Sequence, residues 1–227
     1  MFSLNKCLVR ACTHQAISTI DENGNITENK GYCLDHIPNP GKTQEDIKNY
    51  IKNHDVIVGL NAAGLTFLNV DISNKRFFSC NFMHTTFTNV HAKDLKLRMC
   101  HFDFAVFLDC NLINSDIQFT SFAGCTFSNT LFTGSDLFLN NFNGISALQS
   151  SFDDSDLYNS RFINAKLINT SFRNCNVKKT HFIDLKQENV SFKMSNTREA
   201  LFDEEGSELF MDLGFGNNES QIQEGGK

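Results

Sequence analysis

From Ala62 to Phe202 nearly every fifth residue is apolar. Of the 29 positions in this series, which begins Ala62, Phe67, Ile72, Phe77, Phe82, only Gln187 and Thr197 are polar. Sixteen of the 23 phenylalanines share this single phase, too many to be an accident of composition. The phase holds over 141 residues, so any insertion within the repeat is itself a multiple of five. Neither regular period accounts for it. On an α-helix a five-residue step advances about 140° and smears the apolar positions around the cylinder. On a flat strand five is odd, and successive apolar residues would alternate between faces. The chain must turn a corner once per five residues, returning each central side chain toward a common axis.

Two flanking columns agree. The residue two before each centre is usually small, as at Cys80, Thr85, Cys100, Ala105, Cys110, Ser115, Thr120 and Cys125, which suits a tight second inward position. The residue one before it is often Asn or Asp, as at Asp71, Asn81, Asn111, Asp136 and Asp156, whose side chains hydrogen-bond nearby backbone in turns. The resulting units, Cys80-Asn81-Phe82, Cys110-Asn111-Leu112, Ser135-Asp136-Leu137 and Ser155-Asp156-Leu157, resemble the pentapeptide-repeat family over roughly two-thirds of the chain. That resemblance implies an all-β solenoid: a right-handed quadrilateral parallel β-helix with four pentapeptides, 20 residues, per coil.

The coil length has an independent check, because positions 20 apart stack on one side. One such column reads Phe82, Phe102, Phe122, Phe142, Phe162, Phe182, Phe202, and another reads Phe77, Leu97, Ile117, Leu137, Leu157, Val177. Aromatic and aliphatic residues segregate as four sides require. About seven coils follow, and at about 4.8 Å between strands the rod is about 34 Å long.

A parallel stack leaves open edges at both ends that need covering. Ile37-Pro38-Asn39-Pro40-Gly41 reads as a linker, and Thr43 as the N-cap of an amphipathic helix reaching His54, with Ile47, Tyr50 and Ile51 on one face. At the far end Leu209, Phe210, Met211, Leu213 and Phe215 stand among acids, as either a plug or a homodimer contact. Residues 217–227 read as disordered. The chain thus divides into a Cys/His head and linker (1–41), a capping helix (42–56), the β-helix (57–202) and an acidic C-terminal cap and tail (203–227).

The head holds Cys7, Cys12, His14, Cys33 and His36. The pairs Cys7/Cys12 and Cys33/His36 offer four ligands to a closed tetrahedral zinc site, with His14 as an alternative to Cys7 or Cys12. Between them Asp21-Glu22-Asn23-Gly24-Asn25 carries a hairpin signal, flanked by 17–20 and 26–30. The arrangement resembles a small treble-clef-like zinc finger. A head this small lacks a core, so structural zinc would contribute much of its folding energy. The other reading of these cysteines is small buried packing residues.

Composition narrows the function. The net charge of −6 is too mild for a basic nucleic-acid binder, and no apolar run is long enough to cross a bilayer. Residues 1–14 lack the apolar stretch of a secretory signal, so the expectation is a cytoplasmic protein with reduced thiols. Cys80, Cys100, Cys110, Cys125 and Cys175 fall in the small inward column and read as core. A convex rod supplies no natural pocket, which argues against an enzyme. Within 57–202, 13 Lys/Arg stand against 12 Asp/Glu, but 99–160 holds seven Asp and no Lys or Arg. Asp116, Asp136 and Asp156, spaced by 20, should form a ladder at one corner, either as turn formers or as a docking surface. The expected function is a non-enzymatic protein-binding scaffold whose partner is unidentified. The family resemblance adds a DNA-mimicking modulator of gyrase or another topoisomerase, although this rod is near neutral and no loop breaks its phase. A third alternative is nucleic-acid contact through the zinc head and the basic last coils.

Overall fold

The computed structural model describes residues 5–27 and 31–203. The expected plug or dimer contact at 209–215, the expected disorder at 217–227 and part of the second hairpin arm lie outside these residues. One helix, α1 (Pro40–Asn53), precedes a parallel solenoid of about seven coils. One side of the coil carries β1 (Val56–Val58), β3 (Arg76–Phe78), β5 (Lys96–Arg98) and β7 (Asp116–Gln118). The opposite side carries β2 (Thr66–Leu68), β4 (Thr86–Thr88), β6 (Val106–Leu108), β8 (Thr126–Ser128), β9 (Ser146–Leu148), β10 (Lys166–Ile168) and β12 (Lys186–Glu188). At the far end β11 (His181–Phe182) pairs with β13 (Leu201–Phe202). The register step is 20 throughout, as in Phe77 opposite Leu97 and Phe87 opposite Phe107. The other two sides are built from single bridges, such as Asn81 to His101 and His91 to Asn111.

Each unit turns its corner in the same way. The second residue after every centre has a left-handed backbone, from Asn69 (φ 53°) through Asn129 (φ 49°) to Asn189 (φ 51°). Asn, Asp and Gly adopt this conformation at little cost, which explains why they recur there. The Asn or Asp before the centre accepts a hydrogen bond from the backbone N–H two residues on, as Asn81 does from Met83 at 3.0 Å and Asp156 from Tyr158 at 2.9 Å.

Inside, the centres stack in columns. Phe102, Phe122 and Phe142 lie parallel with ring centroids 5.1 Å apart at each step. Neighbouring columns meet edge to face, as at Phe152 and Phe162 (5.7 Å, 89°). The column of Phe87, Phe107 and Phe127 ends at Ala147, while the neighbouring column of Ala92 and Leu112 becomes aromatic at Phe132 and Phe152. The bulk changes sides but is conserved along the rod, as close packing demands.

The helix starts earlier than Thr43. Its N-cap is Asn39, whose side chain accepts from the Lys42 N–H at 3.1 Å, and Pro40 occupies the first turn. Proline is favoured there because its missing N–H would have had no helical partner. Ile47 and Ile51 are buried against the first coil. No described helix is long and apolar enough to cross a membrane.

Candidate metal centre and docking face

Two loops build the centre in the head. Residues 7–14 close on themselves through the Cys7 N–H to His14 carbonyl bond (2.9 Å), and Ala11 supplies a left-handed turn (φ 66°) between Cys7 and Cys12. A second turn at 33–37 presents Cys33 and His36, with the N–H groups of His36 and Ile37 both bonded to the Cys33 carbonyl at 3.0 Å. The Leu8 N–H to Gly31 carbonyl bond (3.1 Å) holds the loops together. The Asn-Gly hairpin is present, with Ile20 opposite Ile26 and Gly24 at φ 79°. The head is fixed to the rod by Ser18 and Asn61, which exchange bonds of 2.9 Å, and by the Asn81 amide to Gln15 at 2.8 Å.

The structure brings Cys7, Cys12, Cys33 and His36 together, with their ligand atoms all within 4.8 Å of one another. Sγ of Cys12 is 3.9 Å from Sγ of Cys33, and Nδ1 of His36 lies 3.5 Å from Cys7 Sγ and 3.2 Å from Cys33 Sγ. A tetrahedral zinc with the usual Zn–S and Zn–N lengths needs about 3.8 Å between sulfurs and about 3.5 Å between sulfur and nitrogen. The residues therefore fit the ion. For Cys7 burial opposes ionisation, but backbone hydrogen bonds from Cys33 and Val9 and contacts with His36 and Cys33 outweigh it and bring the thiol down to about 6. Burial pushes the Cys33 thiol up, reinforced by the neighbouring Cys7 and Cys12. His14 stands just outside, its Nδ1 3.0 Å from the Asp35 carboxylate.

The acidic ladder forms on the β1–β3–β5–β7 side. Asp116, Asp136 and Asp156 are bridged in parallel, one coil apart. One end is charge-paired, Asp116 lying 2.6 Å from the Arg98 guanidinium, and the other is hydrogen-bonded, Asp156 accepting from the Asn176 amide at 2.9 Å. Partial burial raises the pKa of the middle carboxyl, Asp136, and both flanking aspartates add to this against the pull of Arg98. Beside the ladder stand Met99, Phe119 and Leu139, exposed apolar residues at a corner the pattern analysis did not single out. Their signal was present, because they occupy the left-handed corner position that elsewhere favours Asn, Asp or Gly. Part of the basic run in the last coils is engaged within the rod: Arg173 with Asp153 (3.0 Å), Lys178 with Glu199 (2.7 Å), and Lys179 over the Tyr158 ring (5.5 Å).

The rod cysteines are free and buried. Their thiols donate to carbonyls of the preceding coil, as Cys125 does to Phe102 at 2.9 Å and Cys175 to Phe152 at 3.0 Å. Burial pushes the Cys175 thiol up to about 12.

The family model for pentapeptide repeats matches eight copies, over residues 93–129, 110–138 and 141–178. All the matched segments lie within the rod, and there the chain carries pentapeptide repeats. No curated protein matches the chain in sequence. Among solved structures, this chain is similar to QnrB1, a plasmid-mediated fluoroquinolone resistance protein, at 17% identity and a TM-score of 0.32, over 70% of this chain and 97% of that one. It is similar to HetL, a pentapeptide repeat protein involved in heterocyst differentiation regulation from the cyanobacterium Nostoc sp. strain PCC 7120, at 11% identity and a TM-score of 0.24, over 70% and 96% of the two chains. A pentapeptide repeat protein from the Arabidopsis thaliana thylakoid lumen matches at 21% identity and a TM-score of 0.15, over 54% and 68%.

Proposed function

We propose that the protein is a non-enzymatic protein-binding scaffold, in which a zinc-stabilised head anchors one end of a rigid rod and the β1–β3–β5–β7 side is the docking face. The observation that carries this reading is that the Asp116, Asp136 and Asp156 column and exposed Met99, Phe119 and Leu139 lie on the same side of the rod, separated by one column of outward residues. Apolar side chains next to charge on a rigid frame suit a protein partner, since little ordering entropy is lost on docking. Pentapeptide-repeat proteins are generally structural or binding scaffolds. Zinc in the head would be structural, because four side chains fill its tetrahedron and leave no open position. A DNA-like surface for gyrase or another topoisomerase asks for a longer acidic run. Here the column stops at three carboxylates, with Lys96 before them and Asn176 after.

The test is a photo-crosslinking residue at position 119 of the full chain, used in cells. A discrete protein adduct, lost when Asp116, Asp136 and Asp156 are all changed to Asn, is the expected result. The absence of any protein adduct, the chain itself included, would overturn the docking-face reading.

A further inference from the structure

The outward residues of the β1–β3–β5–β7 side form three parallel columns, one residue per coil. The first reads Val56, Arg76, Lys96, Asp116, Asp136, Asp156, its neighbours paired in register. The second reads Val58, Phe78, Arg98, Gln118, Phe138, Tyr158. The third, at the corner, includes Met99, Phe119 and Leu139. We propose that this face docks on the same face of a second copy of the chain, antiparallel, about a two-fold axis lying between the rows of Lys96 and Asp116. This rests on the scaffold reading and names its partner.

Charge selects both the partner and the register. Such an axis keeps each column over its own kind and reverses the order of its rows. Lys96 then faces the Asp116 position of the second copy, and Arg76 faces the Asp136 position. Each pair occurs twice, as an isologous interface requires. In the second column Phe78 meets Phe138, and at the corner Met99 meets Phe119. Two alternatives fail on charge: an antiparallel axis through the Asp136 row sets carboxylate on carboxylate, and a parallel axis between the first two columns sets Lys96 on Arg98. Like charges brought together in this way are strongly disfavoured.

Of the four charged groups this pairing needs, three are unengaged in the single chain, and the fourth, Asp116, lies 2.6 Å from the Arg98 guanidinium of its own chain and would be shared between Arg98 and Lys96. Arg76, Lys96 and Asp136 are exposed and make no ion pair among the described residues. Met99 and Phe119 are 57% and 56% exposed. Both also hold left-handed backbones, φ 52° and 53°, a conformation costly for bulky residues. Phe104, at another corner, has company: it stacks on His84 at 5.3 Å and lies over Gly124, where a Cβ would come within 2.6 Å of its ring. A strip one side wide and six coils long belongs to the small, concentration-dependent class of interface, so association should fall in the micromolar range.

The experiment is sedimentation equilibrium of the full chain from about 1 to 300 µM. The expected mass rises from 25.7 kDa toward twice that value across the range. Arg76→Glu alone, or Asp136→Arg alone, should weaken association by about tenfold or more, and the combined Arg76→Glu/Asp136→Arg chain should regain it. Both side chains point outward, so an unchanged circular dichroism spectrum confirms that each variant folds. A wild-type chain monomeric throughout overturns the dimer, as does a dimer indifferent to the single changes or not restored by the pair. If the monomeric chain still gives the position-119 adduct with another protein, the scaffold reading stands and only the self-pairing fails.

Discussion

Ser160 donates its hydroxyl to the carbonyl of Leu137, 2.7 Å away and one coil earlier. The same bond recurs along the rod, from Thr85 to Ala62 (3.1 Å), Ser135 to Leu112 (3.1 Å) and Thr180 to Leu157 (2.7 Å), and in the sulfur series as Cys175 to Phe152. The small inward column is thus a column of donors as well as of small volumes. Ser160→Ala should cost about 1–3 kcal/mol, since it strands a buried carbonyl. Ser160→Cys, which keeps a donor, should cost less. Urea unfolding of the three chains measures the order.

Phe122 is fully buried and stacked on Phe102 and Phe142. Phe122→Ala should destabilise the rod by about 3–5 kcal/mol in chemical denaturation, because the stacked rings on either side cannot collapse into the gap. A loss well under 1 kcal/mol would mean that the column is not packed as described.

Ala147 sits where its column gives up bulk to Phe152 on the neighbouring side. Ala147→Phe should therefore destabilise the rod by about 1–3 kcal/mol through overpacking. Adding Phe152→Ala should recover part of the loss. A double-mutant cycle reads the coupling directly, and purely additive losses would refute the exchange of volume between the columns.

Asp136 has a raised pKa in the folded chain. A carboxyl with a raised folded pKa contributes stability when protonated and loses it as pH rises through the folded value, so its ionisation near neutrality opposes folding. In dilute protein Asp136→Asn should therefore raise the melting temperature at pH 7. The gain should shrink as pH falls below the raised value and vanish near the ordinary carboxylate range. A gain that persists unchanged in acid would point to a cause other than charge.

The head and rod should respond differently to chelation. Native mass spectrometry is expected to find one zinc per chain, lost on chelator treatment or with Cys33→Ser. After chelation the three head thiols should react with a disulfide reagent, while Cys80, Cys100, Cys110, Cys125 and Cys175 should wait for unfolding, since all five are buried out of the reagent's reach. Rapid reaction of all eight in the folded chain would contradict the inward column.

Much of this molecule was legible before any coordinates. An odd period of five cannot be satisfied by a helix or a flat strand, so the centres followed from residue spacing, and the coil length implied by the family resemblance agreed with the segregation of aromatic and aliphatic residues into columns 20 apart. The pairing of Cys7/Cys12 with Cys33/His36 was readable as ligand chemistry, but the 3.9 Å approach of Cys12 and Cys33 depends on how two loops fold back. The helix start was misplaced because Pro38 and Pro40 read as breakers, whereas Pro40 begins the first turn. Only the tertiary structure decided the rest: that the inward hydroxyls and thiols serve carbonyls of the preceding coil, that bulk passes from the Phe127 column to the Phe132 column, and that Met99 and Phe119 stand beside the acidic ladder. These relations join residues about 20 apart through close packing and hydrogen-bond geometry. A one-dimensional pattern specifies which residues point inward, and the folded backbone specifies what each of them meets.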